Sequence, residues 1–300
     1  MRILVTGGSG FLAAFMMRRF LRRGATFRVL DLRAGSPLAA RLLGDDYGAI
    51  EWVEGDVADA HTVAAAAEGT NLIIHLAALL TPACQADPVR GAAVNLTGTL
   101  HVFANAVRLG HTQVLYMSSA GVFGPDDGTT PRPTTHYGAY KLATEGAARA
   151  EYDSNGLSST GFRPLIVYGP GREVGLTAGP SIACREAARG APYTIGFSGN
   201  SDFVYVDDVA AAFELAWASP REGAQVYNVT GEHAPVASVC QTVNEIAGER
   251  LIDYSGEPIP VAGLIDEGAL RSDYPDMPRT PLAAGLAETY EFYARARASD

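Results

Sequence analysis

The segment Arg2-Ile-Leu-Val-Thr-Gly-Gly-Ser-Gly-Phe-Leu-Ala13 decides the fold of this 300-residue chain. Its first five residues form a short apolar run that predicts a buried strand. The helical spacing of apolar residues from Phe11 to Arg23 predicts a helix, and Gly24 ends it. The glycines therefore lie in a turn between a strand and a helix, where such a pattern is typical of a dinucleotide-binding site.

Two glycines of this turn have a physical reason to be there. Gly7 permits the tight turn, and Gly10 lets the backbone approach a pyrophosphate closely. Ala13 stands where a third glycine often occurs and still allows close helix packing. The helix that begins at Phe11 and Leu12 would offer unpaired N–H groups and a positive dipole end to phosphates. A tight turn without a ligand is the alternative.

Strands and helices alternate along the first 168 residues. Further strands are predicted over Phe27–Asp31, Ile50–Val53, Asn71–Leu76, Gln113–Met117 and Ser159–Val167. Helices are predicted over Thr62–Glu68, Pro88–Leu109 and Tyr137–Asn155. This alternation predicts an α/β fold with a Rossmann-type, doubly wound parallel sheet that helices cover on both faces.

The pattern loosens after Gly169. Strands are predicted over Phe203–Val206 and Val226–Val229, and helices from Asp207 or Asp208 to Ala218 and over Val236–Ala247. We expect residues 1–168 to form a dinucleotide-binding domain, to which the strand and helix of residues 203–218 return. Residues 169–202 and 219–300 are expected to form a smaller, mixed α/β substrate-binding lobe.

Composition and charge narrow the class of protein. The chain is 47% hydrophobic and 19% charged, as is ordinary for a globular protein, and its net charge of −10 disfavours nucleic acid and anionic membranes as partners. Cys84, Cys184 and Cys240 have no metal-ligand spacing, so no metal site is expected. Met1 leads within two residues into a strand, which leaves no room for a signal peptide. We therefore expect a cytoplasmic protein that acts on a small molecule.

Carboxylates after the second and third strands point to the adenosine half of the dinucleotide. Asp31 can accept hydrogen bonds from both ribose hydroxyls and would repel a 2′-phosphate, which favours NAD over NADP. Arg33 could soften this preference or be a surface arginine. Asp56 and Val57 could contact the adenine, or Asp56 or Asp59 could be a helix N-cap.

Tyr137 and Lys141 are four residues apart and therefore share one helical face. A nearby ammonium, together with the positive charge of a nicotinamide, would favour the phenolate and lower the pKa of Tyr137. Lys141 could also hold the nicotinamide ribose. Ser119 follows the fifth strand and can donate a hydrogen bond to a substrate oxygen. Tyr140 is the rival tyrosine, but it points away from the Lys141 face.

Several segments resemble those of extended short-chain dehydrogenase/reductases of the NAD-dependent epimerase/dehydratase family. They occur in family order as Thr6–Ala13, His75–Ala78, Asn95, Ser118–Gly124, Tyr137–Lys141, Arg163–Gly171 and Phe203–Asp208.

The resemblance implies a role for each matching residue. Tyr137 would be the general acid/base, Lys141 would tune it, and Ser119 would be the oxyanion partner. His75 would be a packed strand-end residue. The other cofactor contacts expected are Leu76, Ala77, Ala78, Asn95, Met117, Pro164, Ile166 and Val167. A homodimer formed through the helices at 88–109 and 137–155 is also implied.

Departures from the family pattern narrow the reaction. Ser119-Ala-Gly-Val-Phe-Gly124 lacks the Asp and Glu of the sugar dehydratases, so dehydration is not expected. Nucleotide-sugar members carry an asparagine and an arginine for the diphosphate where this chain has Ile166 and Ser201. A diphosphate buried without donors would leave charges unpaired. We expect a smaller substrate, such as a carbohydrate-derived alcohol, an aldonate-like acid or an amino alcohol.

Several residues are candidates for contacts with the substrate. Arg172 and Arg185 could bind a carboxylate through the guanidinium fork or form salt bridges. Thr81, Thr177 and Ser181 could contact hydroxyls. An NAD-dependent dehydrogenase is the leading interpretation, and an epimerase that retains its NAD is the second. A non-catalytic dinucleotide sensor is a third, which the presence of both tyrosine and lysine disfavours.

Overall fold

A seven-stranded sheet lies at the centre of the computed structural model, which describes residues 1–297. The strands are β1 (Arg2–Thr6), β2 (Thr26–Asp31), β3 (Glu51–Glu54), β4 (Leu72–His75), β5 (Gln113–Met117), β6 (Ser158–Pro164), β7 (Ile166–Tyr168), β8 (Tyr193–Ile195), β9 (Asn200–Tyr205), β10 (Ala224–Val229), β11 (Glu232–Pro235) and β12 (Ile252–Tyr254).

The helices alternate with these strands. They are α1 (Phe11–Leu21), α2 (Pro37–Leu43), α3 (Ala60–Ala67), α4 (Thr81–Ala86), α5 (Pro88–Ala92), α6 (Gly98–Arg108), α7 (His136–Asn155), α8 (Gly179–Ala188), α9 (Val206–Ala218), α10 (Val236–Ala247), α11 (Leu270–Asp273) and α12 (Leu282–Arg297). A π-helical turn, Ala93–Thr97, joins α5 to α6, and short 3-10 helices occupy Gly44–Ala49 and Ala120–Val122. Within residues 1–297, no helix is both long and apolar enough to cross a membrane.

The main sheet has the strand order β10-β6-β5-β4-β1-β2-β3, and each neighbouring pair is parallel. The doubly wound, Rossmann-type fold predicted from the sequence is confirmed. The chain moves outward through β2 and β3 on one side of β1 and through β4, β5 and β6 on the other. The order therefore reverses between β1 and β4, where ligands bind at the carboxyl ends of the strands in such sheets.

Helices cover both faces of the main sheet. The pair α1 and α9 packs on one face, where Phe20 stacks on Trp217 with ring centroids 4.7 Å apart. Arg19 joins the same two helices through Asp207 at 2.6 Å and Glu214 at 2.9 Å. On the other face, Phe103 of α6 packs edge-on against Tyr116 of β5. The main sheet is thus held between two buried layers of helices.

The predicted return of the 203–206 strand to the main sheet is corrected by the structure. That strand, β9, pairs with β7 and β11 in a separate three-stranded sheet, and only the helix α9 returns. The chain leaves the main sheet at Leu165, and β7 therefore belongs to a second sheet, in which it pairs with β9. Strand β10, expected in the lobe, instead extends the main sheet beside β6. The last three residues of the expected lobe, 298–300, lie outside the described residues.

Candidate active site

A cavity of about 650 Å³ opens at the carboxyl ends of the main-sheet strands. Its walls come from the glycine turn, the ends of β2, β4, β5 and β6, the start of α7, and two segments beyond the Rossmann core, residues 171–177 and 259–261. Its size is in the range of cofactor and small-molecule sites. It lies at the reversal of strand order, where the fold predicts a ligand.

The glycine turn fits a pyrophosphate. Gly7 has φ of 73°, and a Cβ there would lie 2.5 Å from the Ala77 nitrogen. A Cβ on Gly8 would lie 2.3 Å from the Val29 side chain. Gly10 caps α1 with no side-chain hydrogen bond, and the first turn of α1 carries no acidic residue. The first N–H groups of α1 are therefore left without a side-chain acceptor, as a bound phosphate group requires.

Asp31 stands at the cavity wall beside this turn. Its Oδ2 accepts a hydrogen bond from the Ser9 amide at 2.9 Å, and its Oδ1 accepts one from the Leu32 amide at 2.7 Å. A carboxylate has about four acceptor positions, so two remain for ribose hydroxyls. Arg33 lines the same part of the cavity.

The alternatives for Asp56 are separated by the structure. Asp59 is the N-cap of α3, where its Oδ1 accepts from the amides of His61 and Thr62. Asp56 lines the cavity and forms an ion pair with Arg90 of α5. Arg90 was not recognised in the sequence because nothing in its own segment indicates this distant partner.

Most of the expected cofactor contacts lie on the cavity. They are Gly7, Gly10, Phe11, Leu12, Asp31, Arg33, Asp56, Val57, Leu76, Ala77, Ala78, Met117, Tyr137, Lys141, Pro164 and Val167. Asn95 and Ile166 lie away from it. The Asn95 amide bonds to both backbone groups of Leu79, at 2.7 and 2.9 Å, and so holds the loop after β4. Ile166 is fully buried in the hydrophobic core.

Ser119, Tyr137 and Lys141 converge on the cavity. Ser119 precedes the 3-10 helix, and its Oγ accepts from the Gly121 amide at 3.0 Å. The Lys141 Nζ lies 5.7 Å from the centroid of the Tyr137 ring and donates to the Met117 carbonyl at 2.6 Å. The Tyr140 hydroxyl donates to the Pro88 carbonyl at 2.8 Å, which leaves Tyr137 as the phenol of the site.

The electrostatics of these groups differ from the sequence prediction. Burial raises the pKa of Tyr137, while hydrogen bonding to Ser119 and the charge of Arg172 act to lower it. Burial lowers the pKa of Lys141 to about 8. Arg172 is therefore a cation that acts to lower the Tyr137 pKa, a role that the sequence analysis assigned to Lys141 and the nicotinamide.

A buried ion pair between Glu145 and Arg163 anchors α7, the helix that carries Tyr137 and Lys141. Glu145, one turn after Lys141, accepts hydrogen bonds from the Ser118 hydroxyl and from Arg163 Nε, the latter at 2.7 Å. These contacts tie α7 to the ends of β5 and β6, next to Ser119. They were missed in the sequence because each partner comes from a different element.

His75 is a packed residue at the end of β4, as expected, and the structure makes it neutral as well. Its ring nitrogens hydrogen-bond to the hydroxyls of Thr6 at 2.6 Å and Thr99 at 2.9 Å. Burial lowers the pKa of His75 to about 3. The ring therefore links β1, β4 and α6.

The remaining wall forms the substrate side of the cavity. Of the sequence candidates, Thr81, Arg172 and Thr177 lie on it, with Leu79, Leu80, Val174, Leu176 and residues 259–261. Arg185 does not, because it pairs with Glu173 at 3.1 Å and Glu186 at 2.8 Å. Ser181 is buried and accepts from the Gly169 amide. No cluster of His, Cys, Asp or Glu able to hold a metal ion occurs in the part of the chain that the structure describes.

The fold and the site together define a Rossmann-type oxidoreductase. The chain belongs to the NAD dependent epimerase/dehydratase family, whose model matches residues 3–230, and its cofactor is NAD. It is 30% identical to a UDP-glucose 4-epimerase from Mycolicibacterium smegmatis over 98% of both chains. It is 32% identical to the mouse 3 beta-hydroxysteroid dehydrogenase type 7 over 57% of this chain and 51% of that protein.

A solved structure is similar along the whole length. The UDP-glucose 4-epimerase of Thermus thermophilus, crystallised with NAD, superposes with a TM-score of 0.85 at 27% identity, covering 98% of this chain and 99% of that one. The structural similarity therefore extends across both the main sheet and the segments that line the cavity beyond it.

Proposed function

We propose that this protein is a dehydrogenase that transfers a hydride between NAD and a secondary alcohol or ketone of a small molecule without a nucleotide group. The observation that carries the proposal is the convergence of Ser119, Tyr137 and Lys141 on the cavity that the glycine turn also lines. The dinucleotide and a reacting hydroxyl can therefore meet in one place.

Each of the three residues has a distinct task. In the oxidation direction, the Tyr137 phenolate, which the charges of Arg172 and of a bound nicotinamide would favour against burial, accepts the proton of the substrate hydroxyl. Ser119 donates a hydrogen bond to the same oxygen. Bound NAD supplies the acceptor for the hydride that leaves the carbinol carbon. The Lys141 ammonium uses one donor on the Met117 carbonyl and keeps two for the cofactor ribose and the phenol.

The substrate side does not suit a nucleotide diphosphate. Ile166 and Ser201, which stand where relatives place diphosphate ligands, are 0% and 1% exposed and do not line the cavity. Arg172 is the cation on that side. A diphosphate carries more than one negative charge, and a single cation would not fully offset the cost of removing those charges from water. This supports a smaller substrate, such as a carbohydrate-derived alcohol, a sugar acid or an amino alcohol.

A sugar epimerase is the second candidate, favoured by the full-length similarity to the M. smegmatis enzyme. The same Tyr137 would begin the reaction, and the hydride would then return to the opposite face of the ketone. Such an enzyme keeps its cofactor through the cycle, whereas a dehydrogenase exchanges it.

Cofactor content and NADH release test the proposal. The protein is purified without added nucleotide, its bound cofactor is extracted for mass analysis, and NADH formation is followed with sugar acids, polyols and amino alcohols. We expect reversible NAD binding and accumulation of NADH. Stoichiometric, tightly held NAD with isomerised sugars and no NADH would replace the dehydrogenase by the epimerase. NAD binding without any turnover would favour the sensor.

We further propose a cytoplasmic homodimer. Support comes from Val89 and Leu100 on the surface of α5 and α6, which are apolar and 82% and 40% exposed. Gel filtration at the mass of one chain would contradict the dimer.

A further inference from the structure

Arg172 has no carboxylate partner anywhere in residues 1–297. Its Nη2 donates one long hydrogen bond, 3.4 Å, to the Thr177 hydroxyl, and its Nε is buried without a partner. The adjacent Glu173 faces the other way, toward Arg185 at 3.1 Å and the Tyr293 hydroxyl at 3.3 Å. Most donors of the Arg172 guanidinium are therefore unused.

The position of this cation is defined by its neighbours. Its Cζ lies 5.1 Å from the centroid of the Phe11 ring, and its charge acts on Tyr137 across the cavity. Gly175, with φ of 104°, brings the 171–177 segment so close that a Cβ there would lie 3.3 Å from Nη2. A half-buried cation without a charged partner has lost part of its hydration, and a bound anion would offset that cost.

Apolar side chains predominate on the cavity wall that carries Arg172, although Thr81 and Thr177 also line it. Leu79, Leu80 and residues 259–261 (Ile-Pro-Val) line the same cavity, and Leu80 and Arg172 both approach Gly175. Val174 and Leu176, on the same segment as Arg172, are 71% and 49% exposed at the cavity mouth. A ligand that covers these side chains gains from burying them, whereas a polyhydroxylated one would find few hydrogen-bonding partners on this wall beyond Thr81 and Thr177.

We propose that Arg172 binds the carboxylate of the substrate, and that the substrate is a hydroxy acid whose remaining carbon skeleton is apolar. This rests on the hydride transfer of the proposed function, and it sets aside the polyhydroxylated and amino alcohols named there in favour of an apolar hydroxy acid. The guanidinium fork would hold the carboxylate with two parallel hydrogen bonds and so orient the hydroxyl toward Ser119 and Tyr137. The apolar skeleton would lie against Leu79, Leu80 and the 259–261 segment.

A matched pair of ligands tests the carboxylate directly. Binding of 4-methylpentanoate and of 4-methylpentanamide is measured by calorimetry, with and without saturating NADH. The proteins are the wild type, Arg172→Gln, Arg172→Lys and the control Arg189→Gln. Arg189 has a side chain that is 59% exposed and does not line the cavity.

We expect the acid to bind the wild type and Arg189→Gln at least about tenfold more tightly than the amide. Arg172→Gln should bind both ligands within about twofold of each other, and Arg172→Lys should keep part of the preference. The Lys variant also controls for misfolding of the Gln variant.

Equal binding of acid and amide to the wild type, or an unchanged preference in Arg172→Gln, would overturn the inference. So would weaker NADH binding in Arg172→Gln with an intact preference, because the guanidinium would then serve the dinucleotide diphosphate. The readout does not require turnover. Absence of NADH formation with a persistent acid preference would therefore contradict the proposed function alone.

Discussion

Lys141 is the only lysine of the chain, which makes its protonation measurable without assignment. Its side chain is buried, and burial lowers its pKa from 10.5 to about 8. At about 1.36 kcal/mol for each pH unit between these values, the charged folded form is disfavoured by about 3 kcal/mol. The single ε-ammonium signal of lysine-labelled protein should therefore titrate near pH 8, well below that of free lysine.

The same difference predicts how stability changes with pH. Below pH 8 both the folded and the unfolded chain hold the proton, so Lys141 does not make the unfolding free energy depend on pH there. Between about pH 8 and 10.5 the folded protein releases the proton while the unfolded chain keeps it, and stability rises with pH. Relative to Lys141→Met, the wild type should gain up to about 3 kcal/mol of unfolding free energy across this window.

Urea unfolding of the wild type and of Lys141→Met from pH 7 to 10 measures this gain. Groups that titrate in both proteins cancel in the difference between the two unfolding free energies. At neutral pH, Lys141→Met should be the more stable protein. The substitution also leaves the Met117 carbonyl without its donor, which reduces the difference in unfolding free energy by about 1 kcal/mol. A lysine signal that titrates above pH 10, together with a pH-independent difference, would refute the reasoning.

Three further predictions concern the parts of the site that the structure explains. Asn95→Ala should cost about 1–3 kcal/mol in urea unfolding for each Leu79 backbone group left unpaired, and a loss below about 0.5 kcal/mol would contradict that role. Gly7→Ala should weaken NAD binding at least about tenfold because its Cβ meets the Ala77 nitrogen, whereas Gly110→Ala, with φ of 69° and open space, should leave NAD binding unchanged. Asp31→Ser should raise the ratio of NADP to NAD use about tenfold or more in steady-state kinetics, and an unchanged ratio would remove Asp31 as the determinant.

The Rossmann half of the molecule was predictable because its signals are local. The strand, turn and helix of Arg2–Leu21 show in the period of apolar residues and in Gly7 and Gly10. The spacing of Tyr137 and Lys141 placed both on one helical face, and each faces the cavity in the structure. Local patterns of this kind depend on few contacts distant in sequence.

The substrate half was less predictable because its features depend on contacts between distant segments. Helix α8 (Gly179–Ala188) was hidden by Gly179 and Pro180, which punctuate the sequence like a loop although proline is favoured in the first turn of a helix. The pairing of β9 with β7, rather than with the main sheet, leaves no mark in either strand. Arg172 and Arg185 look alike in sequence, and only the carboxylates around Arg185 distinguish them.

The most direct test of the central claim compares two tyrosines of one helix. Tyr137→Phe and Tyr140→Phe each lose one hydroxyl, but only Tyr137 lines the cavity, and the Tyr140 hydroxyl is bonded to the Pro88 carbonyl. Both variants are assayed for NADH formation on the best alcohol of the panel and for NAD affinity. We predict that Tyr137→Phe binds NAD within about twofold of the wild type but turns over about 100-fold or more slowly, while Tyr140→Phe keeps its rate. Turnover of Tyr137→Phe close to that of the wild type would contradict the assignment of Tyr137 as the general acid/base.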